Sequence, residues 1–197
     1  MKKLKNNAGF SLIEMLLAIA VLVLLIVGMQ SGLDAGVHAY GESMFESNSA
    51  ALAGILNSAI GDVLRYAEDI VDYDTVPEGA PAGADKVNFY FTNYEYGVRD
   101  AYLKLDTYDA GSENIIFKIA GWKEVYETSL VTTGAYPDLT VQPVDDRTPL
   151  VRFVPSDGDA TNGPENYFNV KYKIVDMRDA SRTKEVTATI RLMNPKD

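Results

Sequence analysis

The sequence predicts an α+β fold. One long N-terminal helix, membrane-spanning in its first half and amphipathic in its second, packs on an antiparallel β-sheet head. Three observations carry this expectation. Residues 10–29 hold a single charge, Glu14, in an otherwise apolar block. No proline occurs from residue 10 to residue 76. Beyond residue 87, apolar and polar side chains alternate in several short runs, the period of a strand with one face buried.

The first element is set by charge and hydropathy together. Residues 1–9 carry Lys2, Lys3 and Lys5 and no acid. Residues 10–29 follow as FSLIEMLLAIAVLVLLIVGM. Twenty helical residues extend about 30 Å, the thickness of a bilayer's hydrocarbon core. Residues 30–197 carry 15 basic and 27 acidic side chains. The positive block is expected to stay in the cytoplasm while the remainder crosses. An ordinary secretory signal peptide fits less well. Its apolar core is usually shorter, and it has no use for a carboxylate that costs a few kcal/mol in hydrocarbon.

Gly9-Phe10-Ser11-Leu12-Ile13-Glu14, behind a Lys-rich leader and ahead of an apolar run, resembles the type IV prepilin signature. Type IV pilins, type II secretion pseudopilins and competence pseudopilins share that signature. The resemblance covers about the first 30 residues. It implies cleavage by a prepilin peptidase between Gly9 and Phe10, and N-methylation of the new amine on Phe10. Gly9 has no side chain, so the backbone there can lie extended in a protease cleft. Glu14 lies about one helical turn beyond Phe10. It is expected to neutralise that amine, on its own chain or on a neighbour, and so set the register of assembly. Many major pilins carry a proline in this segment, and this chain has none. Gly28, Gly32 and Gly36 recur instead at spacing four. Such a row either lets helices approach closely or melt on assembly, or makes a flexible joint with no assembly role.

The apolar pattern continues past the membrane. Leu33, Val37, Tyr40 and Met44 recur at spacings of three and four, and Leu52, Ile55, Leu56, Ala59, Ile60, Val63, Leu64 and Ala67 follow. That is one stripe of an amphipathic helix, expected to run to about residue 70, roughly 90 Å in all. Residues 72–86 read as a linker from their Pro and Gly content. Strand patterns then cover 87–92, 101–105 and 115–119, the last two forming a hairpin across Asp109–Asn114. Phe168, Val170, Tyr172 and Ile174 alternate with polar residues, as do Val186, Ala188, Ile190 and Leu192. These two runs read as an antiparallel pair closed by residues 176–183. Segments 132–149 and 155–166 read as long surface loops. The expected division is therefore a cleaved leader at 1–9, a transmembrane and assembly helix at 10–29, an amphipathic spine at 30–71, a linker at 72–86 and a sheet head at 87–197.

Composition excludes several other functions. The chain has no cysteine, so disulfides, Cys-based metal sites and a lipid anchor on Cys are ruled out. His38 is the one histidine, so no His-cluster metal enzyme is available. It reads as a surface or packing residue. No G-x-S-x-G, P-loop or dinucleotide fingerprint occurs. Asp157–Asn162 lacks the spacing of an EF-hand and reads as an exposed acidic turn rather than a calcium site. Nucleic acid is not expected as a partner of so acidic a chain, although Lys171, Lys173 and Arg191 form a local basic patch. No enzyme activity, metal or cofactor is expected.

The expected function is structural. The chain reads as a subunit of a type IV pilus or of a type II secretion or competence pseudopilus, more a minor pilin or pseudopilin than the main repeating subunit. Its expected partners are a prepilin peptidase, other pilin or pseudopilin subunits and a membrane assembly platform. It would sit in the cytoplasmic membrane as a single-pass precursor, then in a filament outside the cytoplasm. The alternative is a membrane-anchored extracellular binding module, for adhesion or DNA capture, that does not polymerise.

Overall fold

The computed structural model describes residues 11–81, 84, 87–105, 115–122, 126–132, 134, 136–145, 149–155 and 166–193. The chain divides into two compact units, Met1–Met44 and Phe45–Asp197. Helix α1, Leu12–Arg65, supplies the described residues of the first unit beyond Ser11 and opens the second. Its sequence explains its length: it contains no proline and is dense in Leu and Ala, which lose little freedom in a helix.

In the first unit, residues 11–40 and 42–44 are all exposed, and Gly41 is half-buried. Leu12 is 80% exposed and Leu24 73%. The apolar positions Leu33, Val37, Tyr40 and Met44 are exposed as well. The expected cover of the stripe by a sheet thus begins at Phe45, not at Leu33.

In the second unit, α1 buries Phe45, Leu52, Ala53, Leu56, Ile60, Val63 and Leu64. Each large apolar side chain buried in this way contributes about 1.5–3 kcal/mol. Ile55, expected in the stripe, points outward and is exposed. It is three residues after Leu52 but directly before Leu56, and the two sheets leave its side of the helix uncovered.

The helix stops at Arg65, about a turn earlier than expected. Tertiary partners take over its last carbonyls, which have no intrahelical donor. The Asn93 amide donates to the Val63 carbonyl at 2.7 Å. The Met193 N–H donates to the Arg65 carbonyl at 2.9 Å. Residues 68–72, assigned in part to the helix by periodicity, are a strand.

The head contains two sheets where one was expected. The first is a meander of β1 (Glu68–Asp72), β2 (Phe89–Asn93), β3 (Val98–Leu105), β4 (Ile115–Gly121) and β5 (Glu127–Thr132), each antiparallel to the next. The second contains β6 (Leu139–Gln142), β7 (Val151–Val154), β8 (Tyr167–Asp176) and β9 (Thr183–Arg191). Strand β8 is central. Strand β9 pairs along one of its edges, while β6 and β7 share the other, meeting Lys173–Asp176 and Tyr167–Val170 respectively. The β3–β4 and β8–β9 hairpins are those the alternation predicts. Strand β6 lies inside the segment read as a loop over 132–149. Its four residues are too few for alternation to register, and it is ordered by pairing with β8.

The sheets share one core. Phe89 of β2 lies 4.9 Å from Phe168 of β8, and Phe117 of β4 lies 6.3 Å from Tyr172, ring centre to ring centre. A parallel bridge joins Val87 to Val151. Beside it the Asn88 side chain acts as a short piece of backbone. Its amide donates to the Phe153 carbonyl at 3.1 Å, and its oxygen accepts from the Phe153 N–H at 2.7 Å. On the helix side, the buried Tyr172 hydroxyl donates toward Asn57 Oδ1 at 3.1 Å, with the Ala53 carbonyl at 3.4 Å. Lys184 of β9 pairs with Glu46 of α1 at 2.7 Å.

Candidate processing and assembly site

The start of α1 explains how a carboxylate sits at the head of an apolar helix. Ser11 is the N-cap. The Glu14 N–H donates to Ser11 Oγ at 3.3 Å, and the Ser11 N–H donates to Glu14 Oε2 at 2.9 Å. This reciprocal pair is a capping box, which satisfies two backbone donors that the helix leaves open. Glu14 also lies in the first turn, where the helix dipole favours negative charge. Ser11 was not singled out from the sequence, although the Ser-x-x-Glu spacing ahead of an apolar run is the signal for it.

Gly9 and Phe10 lie outside the described residues. The Glu14 carboxylate thus sits on the N–H of Ser11, the residue immediately after Phe10. Downstream, the helix runs unbroken through Gly28, Gly32 and Gly36. A Cβ added at any of the three would meet nothing within 4 Å. Ser31 returns its hydroxyl to the Val27 carbonyl at 3.1 Å, so its polar group is satisfied within the helix. The helix is long and apolar enough to cross a membrane, and none of its most apolar window is buried.

The other candidates separate from this site. His38 is exposed on α1. Residues 157–162, the acidic turn weighed for calcium, lie outside the described residues. Among the described residues, no group of three His, Asp or Glu is placed to hold a metal ion. Lys171, Lys173 and Arg191 do come together, on the outer face of the second sheet, where Arg152 joins them.

Titration behaviour in the head reflects packing rather than catalysis. Burial pushes the Tyr172 hydroxyl well above the usual tyrosine range. Burial likewise raises Tyr102, and raises Tyr96 with help from Asp62 and Glu95. Hydrogen bonds from Lys104 and Lys118 hold the Glu127 carboxyl below its usual range.

Residues 4–29 match the prokaryotic N-terminal methylation motif, the signature of type IV pilins and pseudopilins. The matched stretch contains the Gly-Phe pair, the capped Glu14 and the exposed apolar run at the start of α1. That motif marks precursors of the kind that prepilin peptidase processes, and it points to a structural subunit rather than an enzyme; the match covers 26 of the 197 residues. No curated protein and no solved structure matches the chain.

Proposed function

We propose that this chain is a minor pilin or pseudopilin. It is cut between Gly9 and Phe10, methylated at Phe10, and assembled through α1 into a filament of a pilus, secretion or competence system. The observation that carries this reading is the exposed apolar length of α1 directly behind the methylation motif. Leu12 to Val27 includes no buried side chain. So large a contiguous apolar surface needs lipid before assembly and neighbouring helices after it. The head would lie outside the cytoplasm, held there by the leader lysines until cleavage.

In this reading Glu14 changes partner. In the precursor its carboxylate accepts the Ser11 N–H. After cleavage the Phe10 amine becomes a stronger, charged donor one residue before the Ser11 N–H, and pairing it with Glu14 removes both charges from apolar surroundings. The test is Glu14→Gln in the full chain, expressed with its peptidase and assembly partners. The variant keeps the hydrogen-bonding shape and loses the charge. Expected is leader cleavage at the wild-type level with at least a tenfold loss of the chain from sheared filaments. Incorporation at the wild-type level would contradict the role given to Glu14. A chain that stays in the membrane whole, whatever stands at 14, would favour an anchored binding module.

A further inference from the structure

The outer face of the second sheet is basic on a chain of net charge −10. Register puts Arg152, Asn169 and Thr189 in one row across β7, β8 and β9. Lys171 and Thr187 form the next row, Lys173 and Glu185 the one after, and Tyr167 and Arg191 the row on the other side. Four cations and one carboxylate thus occupy about 20 Å along β8, at about 3.4 Å per residue. Arg152, Lys171 and Arg191 are exposed and Lys173 is half-buried. None of the four forms an ion pair among the described residues.

The opposite charge is concentrated elsewhere in the same head. Residues 68–78, EDIVDYDTVPE, hold Glu68, Asp69, Asp72, Asp74 and Glu78 and no basic residue. The first five form β1, which pairs with β2 on one side and is the edge of the first sheet. Asp69, Asp72, Asp74 and Glu78 are exposed. The strand portion spans about 17 Å, comparable with the basic face.

Resting on the reading of the chain as a filament subunit, we infer that the basic outer face of β7–β8–β9 docks the acidic β1 margin, residues 68–78, of a second copy of this chain. The contact is heterologous: one surface of each copy meets a different surface of the next. Such a contact leaves each copy with an unused surface, so it needs only two adjacent copies in the filament and does not require this chain to be its main repeating subunit. Charge complementarity would fix the register of the heads and discriminate against wrong neighbours. A nucleic acid is the less suitable occupant. The face offers four cations interrupted by Glu185, and the acidic remainder of the chain repels a long polyanion.

The absence of cysteine makes the contact directly testable. Two forms of the full chain, one Lys171→Cys and one tagged and Asp74→Cys, are co-expressed with the assembly partners and mildly oxidised. Membranes and sheared filaments are then assayed for the mixed disulfide dimer. Expected is a yield at least fivefold above that of Thr128→Cys with Asp74→Cys, Thr128 being exposed on β5. Reversal of the face by Arg152→Glu and Lys173→Glu should cut the yield at least fivefold. Adding Asp72→Lys and Glu78→Lys to the other copy should restore it, which also shows that the variants fold. Control-level dimer with processed chain present in the sheared fraction would overturn the contact and leave the filament reading standing. Processed chain absent from that fraction in the unmodified protein would overturn the filament reading and the inference with it. An undiminished dimer after charge reversal, or salt-sensitive DNA binding lost on the same reversal, would also overturn the inference.

Discussion

Asn93 shows how one side chain can join three local structures. It is fully buried, its amide caps the Val63 carbonyl, and its oxygen accepts the Glu95 and Tyr96 N–H groups at 3.0 and 3.2 Å. Asn93→Ala leaves those groups without partners and should lower stability by about 2–3 kcal/mol. Denaturation of the full chain in mild detergent, read by Trp122 fluorescence, checks this. Asn169 is the contrasting case, since its buried Oδ1 has no hydrogen-bond partner among the described residues. Asn169→Thr suits a strand position opposite Thr189 and should raise stability by about 1 kcal/mol in the same assay. Tyr172 sets a pH dependence. Its folded pKa is raised, so the folded state keeps a proton that the unfolded state releases. Its contribution is complete below the ordinary tyrosine pKa of about 10 and is lost as pH rises above it. Tyr172→Phe should therefore flatten the loss of stability between pH 10 and 11, while costing about 1 kcal/mol at neutral pH from the lost hydroxyl bond.

At the scale of elements, legibility followed periodicity and length. The apolar run from Met15 to Val27 and the alternation around Phe168–Ile174 each repeat one period long enough to identify the element. Strand β6, with Leu139 and Val141 as its only buried positions, does not. Strand β1 was hidden for another reason: Ile70 and Val71 continue the helical spacing of Val63 and Ala67. The helix ends because Asn93 and Met193 take its carbonyls, and both partners are remote in sequence. The assembly motif was legible at Gly9, Phe10 and Glu14 as a pattern of residue types. The Ser11–Glu14 box is legible as well, since Ser-x-x-Glu ahead of an apolar run is the spacing of a capping box. The glycine row offers an element-scale test. A Cβ at Gly28, Gly32 or Gly36 meets nothing in the isolated chain, so alanine at each should strengthen the helix by about 1 kcal/mol. Hydrogen exchange of amides 28–36 in micelles should slow about fivefold per substitution. No change would show that the helix there is already held by contacts outside the isolated chain.

For the whole molecule, one division of labour follows from where apolar surface lies. The unit Phe45–Asp197 buries large apolar side chains such as Leu56, Phe89, Phe168 and Tyr172 in a core shared by α1 and two sheets. The unit Met1–Met44 buries none among its described apolar side chains and carries the methylation motif. The first unit therefore depends on lipid or on other chains, and the second folds around itself. Neither the two-sheet head nor its basic face could be drawn from the N-terminal motif, which covers residues 4–29 alone. The most direct test of the account is mass spectrometry of the N-terminal peptide, from membranes and from sheared filaments, with and without the prepilin peptidase. The account predicts a peptide beginning at N-methylated Phe10 in the sheared fraction, lost when the peptidase is absent. A chain that begins at Met1 and never leaves the membrane fraction would contradict it.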